Sequence, residues 1–129
     1  MGLMNRLGNA GNYHQGKSLR VLCVCSAGLL RSPTLAVVLS APPYNFNTRA
    51  AGCVDDYALI PVDAVLLAWA DVIVVAEGAH QAILEANFGE IQKPIVNLDI
   101  PDNFPYRHPE LIKIIEEKLG EVKFPQRSP

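Results

Sequence analysis

Cys25, Arg31 and Ser32 stand in the spacing C-x5-R-S, inside the stretch VCSAGLLRSP. Cysteine reacts as its thiolate, and a thiolate is favoured where backbone N–H groups and a helix N-terminus make the local potential positive. Arginine offers a planar fork that can grip two oxygens of a phosphoryl group at once, a geometry lysine cannot reproduce. A hydroxyl at Ser32 can donate a hydrogen bond to the sulfur and ease its later departure. Ala27 adds little bulk, and Gly28 can take a positive φ without the Cβ penalty, so the backbone between Cys25 and Arg31 is able to close around an anion. The stretch reads as nucleophile, anion cradle and charge clamp in one loop. The bland alternative makes Cys25 a buried structural thiol and Arg31 a surface cation; chance alone would produce such a match in roughly one chain in a hundred of this Cys, Arg, Ser and Thr content.

Such a loop needs a strand to deliver the cysteine and a helix to receive the arginine. Residues 19–24 form an apolar, β-branched run broken only by Arg20, which fits a buried first strand. Ser32-Pro33 reads as an N-cap followed by proline at the first helical position, with Leu35, Val38 and Leu39 on one face of the helix and Pro42-Pro43 ending it. The loop thus lies at the carboxyl edge of a sheet, where open α/β folds bind ligands. A second strand is expected over residues 46–51, with a turn at Gly52. Pro61 is expected to open a second helix with Val62, Val65, Leu66 and Trp69 as its buried stripe. Residues 72–76 read as a strand covered on both faces. A helix over 79–88, a strand over 94–98 and a last helix opened by Pro109, with Leu111, Ile112, Ile115 and Leu119 inward, complete the alternation. The order βαβαβαβα calls for a parallel sheet with helices on both faces and right-handed crossovers.

The chain has 129 residues, 50% hydrophobic and 19% charged, which suits one globular domain over residues 19–129. Residues 1–18 lack apolar periodicity and are expected to be a flexible leader. The formal net charge of -2 gives no broad cationic surface, which argues against a nucleic-acid partner. Membrane spans of ~20 apolar residues are not seen in the sequence. Three cysteines without a secretory leader point to reduced thiols in a cytoplasmic compartment.

On these residues the sequence resembles the low-molecular-weight protein tyrosine phosphatases, whose loop reads V-C-x-G-N-x-C-R-S-P. The likeness extends from Leu19 to Leu119: TRAAG is similar to the family's R-S-A-G segment, LAWADVIVVAE to its A-D-x-I-x-x-M-x stretch, and LDIPDNFPYRHPELI to its acid loop. It is most similar to a compact bacterial subgroup of the family. The resemblance implies a three-layer, flavodoxin-like fold with a four-stranded parallel sheet in the order 2-1-3-4. It also implies phosphomonoester hydrolysis without a cofactor, through a phosphocysteine on Cys25. The backbone amides of Ser26, Ala27, Gly28, Leu29, Leu30 and Arg31 would hold the equatorial oxygens, with Ser32 beside the sulfur and Asp102 as general acid and then base. Asp99, three residues earlier at a strand end, fits a structural hydrogen-bonding role better. Gly28 stands where the family's loop has its bracing asparagine, and Leu30 where it has a second cysteine. Between residues 52 and 60, one wall of the family's cleft, only Tyr57 is aromatic.

Cys53 follows the second strand and is a candidate to approach Cys25, against the simpler reading of a small residue at a packed strand end. Cys23 should lie on the same strand face as Cys25, in the core. His80 follows Glu77 beyond the third strand and is a candidate to line the cleft, against the plainer reading of a polar surface group near a helix start; His108 reads as such a surface group at the last helix. His14, His80 and His108 are dispersed and no C-x2-C pair occurs, so no metal is expected. The expected substrate is a phosphorylated protein or a small aryl phosphate. The alternatives are a non-catalytic phosphate-binding module, an arsenate reductase of the same fold, which would need thiols beyond Cys53 that the chain lacks, and a phosphocysteine carrier, which leaves Arg31-Ser32 and Asp102 unexplained. Oligomeric state is open.

Overall fold

Residues 18–26, 31–54, 58, 60–100 and 108–125 are described in the computed structural model of the chain. Most of the expected leader, the loop residues Ala27, Gly28, Leu29 and Leu30, Tyr57 and Asp102 lie outside the described residues. The element order is β1 (Arg20–Cys25), α1 (Arg31–Ser40), β2 (Asn47–Gly52), α2 (Ala64–Trp69), β3 (Val72–Val75), α3 (Gly78–Phe88), β4 (Ile95–Asn97) and α4 (Pro109–Leu119). The expected alternation therefore holds at all eight elements, with bounds moved by a few residues.

All strand pairings are parallel and the sheet order is β2-β1-β3-β4. Cys25 lies opposite Gly52 of β2, and Val24 opposite Val75 of β3. Because side chains alternate across a strand, β1 and β3 feed two cores. Val21, Cys23, Cys25, Val72 and Val74 pack with Leu35 and Leu39 of α1 and Leu111, Ile115 and Leu119 of α4. Leu22, Val24, Ile73 and Val75 pack on the other face with Leu66 of α2 and Leu84 of α3. These are the three layers. From β1 the chain turns outward to β2, then crosses back to β3 on the other side, so the carboxyl ends of β1 and β3 border the crevice where strand order reverses. Among the described residues no helix is long and apolar enough to cross a membrane.

Two helix starts differ from the sequence expectation. Helix α1 opens at Arg31, so Ser32 lies inside the first turn and is not its N-cap. Its hydroxyl is taken by strand-edge partners, and Pro33 is tolerated because first-turn N–H groups have no intrahelical acceptor. Helix α2 opens at Ala64 behind Asp63, whose carboxylate accepts the Leu66 N–H at 2.8 Å. Pro61 instead sits in an extended bridge to Gly52, framed by Gly52 N–H to Ile60 O and Val62 N–H to Gly52 O, both 2.9 Å. Val62 is consequently buried from that bridge, while Val65, expected to be inward, is 72% exposed.

Candidate active site

Strand β1 carries Cys25 to the carboxyl edge of the sheet, and the chain beyond β2 holds it there. The carbonyls of Cys25 and Ser26 accept the N–H groups of Cys53 and Val54 at 2.9 and 3.1 Å, which extends the ladder past the last residue of each strand. The first turn of α1 then brings Ser32 back beneath the sulfur: Cys25 Sγ and Ser32 Oγ are 3.2 Å apart, and both residues are buried. Ser32 Oγ is also 3.3 Å from Ala51 O. This arrangement satisfies either ionisation state of Cys25. As a thiol, Cys25 donates to Ser32, which donates onward to Ala51 O; as a thiolate, it receives the Ser32 hydroxyl proton. A sulfur that can hold or shed its proton without stranding a buried polar group suits a nucleophile and leaving group.

Arg31 is 3% exposed, which rules out the surface-cation reading. Its Nη1 donates to Ile100 O at 3.0 Å and forms an ion pair with the Glu77 carboxylate. The guanidinium is thus seated on residues that follow β4 and β3, the strands on the far side of the crevice. Neither Glu77 nor Ile100 was singled out from the sequence. A glutamate directly after a buried central strand, in a fold whose crevice opens there, was the available signal.

Of the two readings of His80, burial excludes the polar surface group: the residue is 2% exposed. The head of α3 folds back so that His80 Nδ1 accepts the Glu77 N–H at 3.1 Å, while Nε2 lies 2.9 Å from Ser26 Oγ. One element, the β3–α3 junction, therefore touches both described ends of the loop, Ser26 through His80 and Arg31 through Glu77.

The remaining candidates fall outside this cluster. Asp99 has a positive φ of 51° and is closed into a ring with Asn97, its N–H and its carboxylate each bonded to that side chain at 3.0 Å. Its structural reading fits that geometry. Cys23 is fully buried in the same core as Cys25; burial first, and then the neighbouring Cys25 charge, push its thiol well above the ordinary range. Cys53 is buried in the opposite core, because it follows Gly52 by one residue and so points to the other face. A Cys25–Cys53 disulfide is disfavoured by that placement. His108 caps α4, its Nδ1 accepting the Glu110 N–H at 3.1 Å. Among the described residues no group of three or more His, Cys, Asp or Glu is placed to hold a metal ion.

No protein-family model and no curated protein sequence matches the chain. Solved structures do. The tyrosine phosphatase AmsI of Erwinia amylovora superposes with a TM-score of 0.65 at 17% identity, over 85% of this chain and 95% of its own. Wzb of Vibrio vulnificus, solved with benzylphosphonate, gives 0.63 at 19%, over 80% and 95%. The arginine phosphatase YwlE of Geobacillus stearothermophilus gives 0.59 at 18%, over 82% and 99%. The chain has the three-layer α/β fold of the low molecular weight protein tyrosine phosphatases.

Proposed function

We propose that this chain, built on the low molecular weight protein tyrosine phosphatase fold, hydrolyses phosphomonoesters through a phosphocysteine on Cys25. The observation that carries the reading is the Cys25 sulfur held 3.2 Å from a buried serine hydroxyl, at one end of a loop whose other end is a buried, anchored Arg31. The thiolate attacks phosphorus in line; the S–P bond forms as the bond to the ester oxygen breaks, and Asp102 protonates that oxygen. Water then attacks phosphorus, Asp102 takes its proton, and the S–P bond breaks with the electron pair returning to sulfur, where the Ser32 hydroxyl stabilises it. The amides from Ser26 to Arg31 cradle the equatorial oxygens. Arg31 Nη1 donates to Glu77 and to Ile100 O, which seats the guanidinium at the end of the loop, where its charge can clamp the phosphoryl group.

The substrate is a phosphorylated protein or a small aryl phosphate, most simply phosphotyrosine, a reading supported by the tyrosine phosphatase AmsI and by the benzylphosphonate on Wzb. The odd number of cysteines supports a reducing, cytoplasmic setting. The test is hydrolysis of p-nitrophenyl phosphate at mildly acidic pH. The wild type should turn over with competitive inhibition by phosphate and arsenate, Cys25→Ser should be inactive, and Asp102→Asn should be slower by roughly 10²- to 10⁴-fold. A wild type that binds phosphate without turnover would replace the enzyme with a binding module.

A further inference from the structure

The residue after the nucleophile is held from both sides. Its carbonyl is fixed by Val54 N–H, from beyond β2, and its hydroxyl lies 2.9 Å from His80 Nε2, from the head of α3. The second contact has a defined direction. A backbone N–H can only donate, so the Glu77 N–H at 3.1 Å requires an unprotonated Nδ1 on His80. A neutral imidazole then carries its hydrogen on Nε2 and donates it to Ser26 Oγ. Among the described residues, the Glu77 carboxylate at the head of α3 and the Arg31 guanidinium of α1 paired with it lie beside this chain of bonds. A second proton on the ring would set Nδ1–H against the Glu77 N–H, so the arrangement belongs to neutral His80.

We propose that His80, held as the Nε2–H tautomer by the Glu77 backbone, is a positioning residue that fixes Ser26 and thereby pre-forms the phosphate loop. This rests on the reading of that loop as a phosphate site. A loop held before the anion arrives binds more tightly, because the ordering of its backbone is not charged against the ligand. The role falls to a side chain from α3 in a loop that has Gly28 at its centre, a residue with no side chain of its own to brace the turn.

The two halves of the imidazole can be separated by substitution. His80→Gln keeps a donor near the Nε2 position and loses the acceptor for Glu77 N–H; His80→Asn keeps that acceptor and cannot reach Ser26. The readout is the concentration of inorganic phosphate that half-protects Cys25 from iodoacetate, followed by mass spectrometry, which requires no turnover. His80→Asn and Ser26→Ala should each raise that concentration about tenfold, the effect of one hydrogen bond of about 1.4 kcal/mol. His80→Gln should stay near wild type, and the double variant His80→Asn with Ser26→Ala should be no weaker than its worse single parent. Wild-type protection by Ser26→Ala, or losses that multiply in the double variant, would overturn the proposal. Ser26→Ala leaves the α3 packing untouched and decides the matter if His80→Asn unfolds. Failure of the wild type to hydrolyse p-nitrophenyl phosphate would instead strike the phosphatase reading, while phosphate protection would still report on His80.

Discussion

Ser32 and Arg31 do separate work that substitution can resolve. The Ser32 hydroxyl lies against the sulfur, so in the proposed reaction it matters most when the thiolate leaves phosphorus. Ser32→Ala should slow breakdown of the phosphoenzyme by roughly 10-fold or more, the loss of one hydrogen bond to a charged group, and rapid-mixing kinetics should then show a burst of p-nitrophenolate. Arg31→Lys keeps the charge and removes the planar fork, and should lower kcat/KM by roughly 10²-fold. Cys23 makes a prediction about pH. Its thiol is pushed up by burial, so the folded chain holds that proton more tightly than the unfolded chain does. The resulting stability is intact below the ordinary thiol value of 9.0 and is lost as pH rises beyond it. Urea melts between about pH 8 and about pH 10 should show the midpoint falling, with a flatter slope for Cys23→Ala. Cys25 and Arg31 were legible as candidates in the sequence because they share one short loop. The partners of Glu77 and His80 were not, since they lie 46 and 54 residues away and are met only through the β1–β3 pairing.

Element boundaries followed side chains that bind backbone, and these are where the sequence pattern misled. Helix α2 has six residues, too few to persist on its own hydrogen bonds. It is held at the front by Asp63 and at the back by Lys93, whose ammonium donates to the carbonyls of Leu67, Ala68 and Ala70. A cation on the last carbonyls of a helix also meets the negative end of its dipole. Asp63→Ala and Lys93→Met should each cost about 1 kcal/mol in urea denaturation, and their effects should add because they act at opposite ends. Proline at position 61 suggested a helix start, but the chain there is still pairing with Gly52, and the helix waits for a capping side chain. Lys93 lies 23 to 26 residues from the carbonyls it caps, so nothing in the local pattern marked it.

For the molecule as a whole, periodicity was enough to give the sheet and its two helical layers. Nearly unbroken apolar runs marked β1 and β3 as central, and helical spacing marked Leu111, Ile112, Ile115 and Leu119 as the inner face of α4, of which Ile112 is only half-buried. The closing of that core by Phe124 against Tyr44 and Phe46, at ring separations of 6.1 and 5.1 Å, was not legible, since it joins residues after the last helix to the segment before β2. Ile115 is fully buried between α4, α1 and the sheet. Ile115→Ala should destabilise the fold by about 2–5 kcal/mol, read as a lower urea midpoint at constant m-value. The two cores hold β1 and β3 in register, and that register brings Cys25, Arg31, Glu77 and His80 to one crevice. Covalent chemistry at Cys25 is the step of the proposed reaction most open to direct test. Rapid quenching of the wild type during turnover of p-nitrophenyl phosphate, followed by peptide mass spectrometry, should find one phosphoryl group on Cys25 and none on Cys23 or Cys53. Release of p-nitrophenolate with no phosphoryl group on Cys25, or no release at all, would contradict it.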